Sequence, residues 1–183
     1  MIRGLLWILA AILLGGIVHL STVLAMPQAA NQDAYSRLTP LTPVNAMIAL
    51  AAPPAGAELM PFMDPAFAAA VCRYDLTGGP LKLVAPVSQA YTSVTFYTRK
   101  SVAYYAINDR AAGRRTIELD LMTAAQHAQV PEDEEVTAAD RLIIESPTSM
   151  GLIVVRALAP EPGLMPMARQ ALAAASCRIQ PAQ

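Results

Sequence analysis

From Gly4 to Met26 the chain runs 23 residues without an acidic or basic side chain other than one histidine, His19. As a helix this stretch measures about 34 Å, enough to cross a bilayer hydrocarbon core of about 30 Å. Pro27 stops the helical pattern. Two readings stay open. One is a retained anchor, with residues 4–26 in contact with inner-membrane lipid. The other is a cleaved secretory signal with a short basic start and a small-residue site at Val23-Leu24-Ala25. Signal cores usually run about 7–15 residues, so the length favours the anchor, and Pro27 close behind the site also disfavours cleavage. Both readings send residues 27–183 to one side. Arg3 precedes the run and the next cation is Arg37, so the positive-inside rule keeps the N-terminus in the cytoplasm. In a bacterium the rest then lies in the periplasm. His19 could serve as a proton relay in lipid. A neutral ring near the outer end of one span that snorkels to the interface is the simpler reading.

Charge excludes a further class of function. Thirteen Lys and Arg stand against 14 Asp and Glu, for a net charge of −1 and a pI near 6.1. Such a chain has no bulk attraction for nucleic acid or anionic lipid. Hydrophobic residues make up 55% and charged residues 15%, against globular averages of roughly half and a quarter, and much of the excess sits in the N-terminal run.

Residues 27–65 read as a Pro-rich stalk with a lead-in helix. Thr39-Pro40, Thr42-Pro43 and Pro53-Pro54 are breakers, and Val44 to Leu50 between them reads as a short helix. From residue 66 to 183 the pattern suits one exported α+β domain, a mostly antiparallel sheet with a C-terminal helix. Ala66 to Leu76 ends in the turn Thr77-Gly78-Gly79-Pro80, and Leu81 to Val84 is a strand closed by Pro86. Val94 and Phe96 alternate with Thr95 and Tyr97, Val102 to Ile107 is a β-branched and aromatic run, and Asn108 to Gly113 is a loop of hairpin size. Ile117, Leu119 and Leu121 alternate with Thr116, Glu118 and Asp120, as in an edge or one-sided antiparallel strand. Leu142 to Ile144 and Leu152 to Val155 are continuous apolar runs, as in strands buried on both faces. Leu164 to Cys177 is Ala-rich and reads as a helix with Met165, Ala168, Leu172 and Ala175 along one face.

Two short motifs give this order of pieces a relative. Asp75-Leu76-Thr77-Gly78-Gly79-Pro80 follows Tyr74, and Ser146-Pro147-Thr148 precedes Arg156-Ala157-Leu158. Together they resemble the bacterial family called domain of unknown function 1254, with its "D-L-S-x-G-P" turn, aromatic strands and "S-P-T" loop. The resemblance covers about Val71 to Pro160. Longer members carry a second, β-sandwich domain numbered 1214. The resemblance therefore implies a short, membrane-anchored version whose partner is a separately encoded 1214-type membrane protein. It implies no catalytic residue.

Candidate chemistry is sparse. Cys72 and Cys177 are the only cysteines, and an even pair in an exported chain invites a disulfide from the first core strand to the C-terminal helix. Two free buried thiols are the first alternative, and a redox pair is disfavoured by the wide spacing and the lack of a Cys-x-x-Cys motif. His127 alone cannot supply the three or four ligands of a zinc site and reads as a surface histidine. Glu132-Asp133-Glu134-Glu135 lacks the spacing of a calcium loop and reads as a solvated helix start. Ser146 as a nucleophile would need His127 as its base, and a turn with side-chain to backbone hydrogen bonds suits Ser-Pro-Thr-Ser better. No catalytic residue, metal site or cofactor is expected. Tyr97, Arg99, Tyr105 and Arg110 form a candidate ligand face on the aromatic strands. The reading that results is a periplasmic, non-enzymatic envelope or interaction module. The alternatives are a ligand-binding protein or enzyme with a pocket on that face, and a secreted soluble protein. Met47, Met60, Met63, Met165 and Met167 supply adaptable apolar surface for a partner or, equally, fill the core.

Overall fold

The computed structural model describes residues 2–29, 33–51, 63–113, 115–130 and 142–180. The chain divides into two compact units, Met1–Asp33 and Ala34–Gln183. The first is one helix, α1 (Ile2–Ala29), whose stretch Ile2–Met26 is long and apolar enough to cross a membrane. A signal sequence would satisfy the same test. The helix runs two residues past Pro27, so the expected stop is displaced by less than a turn.

The second unit is an α+β fold of two sheets. Among the described residues it has nine strands and four short helices: α2 (Ala34–Leu38), β1 (Met47–Ala49), β2 (Phe67–Asp75), β3 (Leu81–Pro86), β4 (Thr92–Thr98), β5 (Ala103–Asn108), α3 (Asp109–Ala112), β6 (Thr116–Thr123), α4 (Ala124–His127), β7 (Leu142–Ser146), β8 (Met150–Leu158), α5 (Met165–Ala173) and β9 (Ser176–Ile179). One sheet has the order β1-β2-β8-β4-β5, the other β7-β6-β3-β9. All pairs are antiparallel except β6 with β7. Alternate residues face inward from both sheets: Ala70, Cys72, Tyr74, Val94, Phe96, Ile153 and Val155 from one, Leu81, Leu83, Ile117, Leu119, Leu121 and Cys177 from the other. Ala168 and Leu172 of α5 join the same core, and α5 lies against β2 and β8.

Several expectations are corrected. Val44 to Leu50 is not a helix. Met47-Ile48-Ala49 pairs with Cys72-Val71-Ala70 as β1, and the segment is too short to repay helix nucleation. Asn45, with φ of 57°, steers it. Its side chain accepts from the Asp75 backbone N–H at 2.8 Å and donates to the Asp75 carbonyl at 3.0 Å, like one more strand residue. Residues 34–49 therefore belong to the folded unit and not to a stalk. Asn108 to Gly113 is no hairpin. Asn108 caps the single turn α3 and Gly113, with φ of 62°, ends it, so the chain crosses from one sheet to the other. β6 is an interior strand, and its outward Asp120 and Met122 are buried as well. β7 is an edge strand with Glu145 exposed. β8 does have both faces buried from Gly151 to Val155, because Tyr35 and Leu38 of α2 cover Val71, Leu152 and Val154 on its outer side.

The C-terminal helix exists but ends at Ala173. Cys177 lies on β9, where it faces Leu83, and not on the helix. The disulfide Cys72–Cys177 thus joins strand to strand across the two sheets, with the Cα atoms 6.4 Å apart and a sequence separation of 105. The acidic run 132–135 and Met60 lie outside the described residues.

Candidate functional site

The two motif turns meet in space. Asp75 ends β2 and its carboxylate accepts from the Thr77 backbone N–H at 2.9 Å, which caps a 3₁₀ turn over Leu76–Gly78. Gly79 has φ of 130°, and a Cβ there would press on the Gln180 carbonyl oxygen at 3.0 Å, so this turn favours glycine. The Leu76 N–H donates to the Ser149 carbonyl at 2.8 Å, and Gln126 Nε2 donates to the Leu76 carbonyl at 2.7 Å. That bond ties the glycine turn to the Ser-Pro-Thr turn, and Gln126 braces it from α4.

Beneath these turns lies a chain of three hydroxyls. Ser146 Oγ donates to the Thr148 carbonyl at 2.6 Å, as a serine in such a turn does. Its one proton is then spent. In the 2.9 Å contact with Tyr74 the phenol is therefore the donor. The Tyr74 proton is shared with the Tyr97 carbonyl at 3.3 Å. The Tyr104 hydroxyl, 3.2 Å from that of Tyr74, donates into the chain. Tyr104 reaches this position through a β-bulge. Phe96 pairs with Tyr105 and Tyr97 with Ala103, which leaves Tyr104 as the extra residue of β5. Burial pushes the Tyr104 phenol far above its ordinary value, with the Ser146 hydrogen bond opposing the rise and the Tyr74 hydrogen bond adding to it. It stays neutral at physiological pH and acts as a hydrogen-bond donor, not as a base or a phenolate nucleophile.

Ser146 and Glu145 point to opposite faces of β7, since neighbours on a strand alternate. His127 Nδ1 is held by Glu145 at 2.5 Å on the exposed face, away from the buried Ser146 hydroxyl. Among the described residues no group of three or more His, Cys, Asp or Glu could hold a metal ion.

The four residues of the expected ligand face are dispersed. Tyr97 packs on the outer face of its sheet with the Tyr35–Leu38–Leu152 group. Arg99, at the β4–β5 turn, stacks on the Tyr35 ring at 3.9 Å, and Arg73 stacks on it at 5.5 Å. Tyr105 pairs with Phe96 on the inner side, its ring 5.9 Å away. Arg110 is exposed on α3, at the opposite end of β5 from Arg99. Sequence reasoning missed Tyr35 and Arg73, and it read Tyr104 only as one aromatic of the cluster with Tyr97, Arg99 and Tyr105. Tyr35 and Leu38 at helical spacing gave a signal inside the supposed stalk. The place of Tyr104 in the hydroxyl chain gave none, because a bulge is invisible in one strand's pattern.

These features define a class: a two-sheet α+β domain stapled by a disulfide and following an apolar helix that could span a membrane. The chain belongs to the family described as "Protein of unknown function (DUF1254)", which matches residues 44–179, from the lead into β1 to the end of β9. In fold it is similar to the VPA0106 protein from Vibrio parahaemolyticus, with a TM-score of 0.57 at 13% identity over 82% of this chain. This chain covers 37% of that protein's length. An uncharacterised protein from Burkholderia cenocepacia matches at a TM-score of 0.47 and 14% identity, over 78% of this chain and 36% of its own. No curated protein matches the chain.

Proposed function

We propose that the chain is a membrane-tethered protein of the bacterial envelope, with its 34–183 domain on the periplasmic side, acting as a binding module for a separately encoded 1214-type membrane protein. The observation that carries the compartment is the buried bridge. Both cysteines of the chain are spent in one disulfide inside the core, as suits an oxidising environment. The helix Ile2–Met26 with Arg3 near its start supports the tether and its direction. Supporting the partner is the longer family architecture, in which a 1214-type domain shares the chain, since fused domains often correspond to separate subunits.

The structure sorts the methionines offered for such a contact. Met47 and Met165 pack against the core, whereas Met167 on α5 is 44% exposed. The test is co-purification of the two proteins from gently solubilised membranes, with Met167→Asp as the variant. Recovery of the 1214-type protein with the wild type and a several-fold loss with the variant are expected. If the two never associate, the partner is wrong. A reporter active only in the cytoplasm, fused after Gln183, stays silent on this reading, and full activity there reverses the topology.

A further inference from the structure

One end of the five-stranded sheet gathers features that the hydroxyl chain does not use. Across it run Val44, Arg73, Leu152, Tyr97 and Ala103 in register. Four of the six large apolar side chains exposed outside α1, among the described residues, stand at this end: Val102 at 60%, Leu41 at 49%, Val44 at 44% and Met150 at 39%. Leu41 is placed there by its neighbour Thr42, whose carbonyl accepts from Arg73 Nη2 at 3.0 Å. Met150 opens β8 opposite Asp75. The same end carries four cations. Arg73 and Arg99 stack on Tyr35, Arg37 lies two residues further along α2, and Lys100 is exposed at the turn beside Arg99. Asp75 accompanies them and is engaged in capping its turn.

We infer that this end of the domain rests on anionic phospholipid headgroups of the membrane that anchors the chain. Exposed aliphatic side chains beside arginines and a tyrosine suit the headgroup boundary, where apolar tips enter and cations meet phosphate. The chain itself restricts the choice of occupant. From Met26 to Ala34 extended backbone spans at most about 30 Å. The domain's first helix, which bears Tyr35, therefore stays on a short leash from the bilayer surface. The overall charge of −1 makes this a local attraction and not a bulk one. The inference rests on α1 being a retained anchor.

The test uses the full chain in nanodiscs, with Val102→Cys carrying a polarity-sensitive dye. Cys72 and Cys177 are bridged and buried, so the label goes to position 102 alone. In discs of phosphatidylcholine with phosphatidylglycerol the emission shifts to the blue relative to pure phosphatidylcholine. The shift is lost in 1 M salt, where the Debye length is about 3 Å, and in Arg99→Glu/Lys100→Glu, with an intact disulfide reporting that the variant has folded. Identical emission in both lipids, or indifference to the charge reversal, overturns the inference. Intact mass of the membrane form reads the premise separately: a chain that begins near residue 27 removes the anchor, and the proposal with it.

Discussion

A Cβ built on Gly151 would lie 2.1 Å from the Tyr97 carbonyl oxygen and 2.4 Å from the Tyr74 hydroxyl. The first of these neighbours is backbone and cannot rotate away. Gly151→Ala should therefore destabilise the domain by about 3 kcal/mol or more, the upper range for overpacking a core, read as a lowered urea midpoint. A wild-type midpoint would remove Gly151 from the structural argument. Tyr104 gives a pH signature. Its phenol is raised above the unfolded value near 10, so both states hold the proton below that pH and the contribution is constant. Above it the unfolded chain ionises first, and stability falls as pH rises. Tyr104→Phe should lose less stability than the wild type between about pH 9 and about pH 11. Parallel losses would show that the hydroxyl is not buried as described. Tyr74 and Ser146 were both quoted in the sequence motifs, yet nothing in the sequence announced that their hydroxyls meet across a separation of 72 residues.

At the scale of elements, β9 owes its place to long-range partners. It pairs with β3 through Leu81 to Val84 and carries one half of the bridge. Cys72→Ser and Cys177→Ser should destabilise equally, by about 4–5 kcal/mol in the chain-entropy model for a loop of this length, and reduced wild type should melt with them. Unequal losses would mean that one cysteine does more than close the bridge. The legible elements were those long enough to show a period. β3 and β4 alternate cleanly, and β8 reads as a run buried on both faces. α2, β1 and β9 have five, three and four residues, fewer than periodicity needs, and their pairing is set by register with distant strands. The alternation of β6 gave its inward face correctly but could not show that β7 lies beside it in parallel.

At the scale of the whole molecule, the apolar run and the α+β class were plain in the sequence because each rests on composition and period over many residues. The arrangement of two sheets was not, since it depends on the chain changing sheet five times, at β3, β4, β6, β8 and β9. That architecture bears on how the molecule carries load. A pull applied between Ala34 and Gln183 reaches Cys72 after unravelling the leading segment, with α2, β1 and the first half of β2. The bridge then passes the tension directly to Cys177, and everything from β3 to α5 is left slack inside a covalent ring. Oxidised, the domain can lengthen to a contour of about 150 Å; reduced, it can reach about 520 Å. A domain drawn taut between a bilayer and a bound partner would keep most of its fold, with α2 and then β1 yielding first.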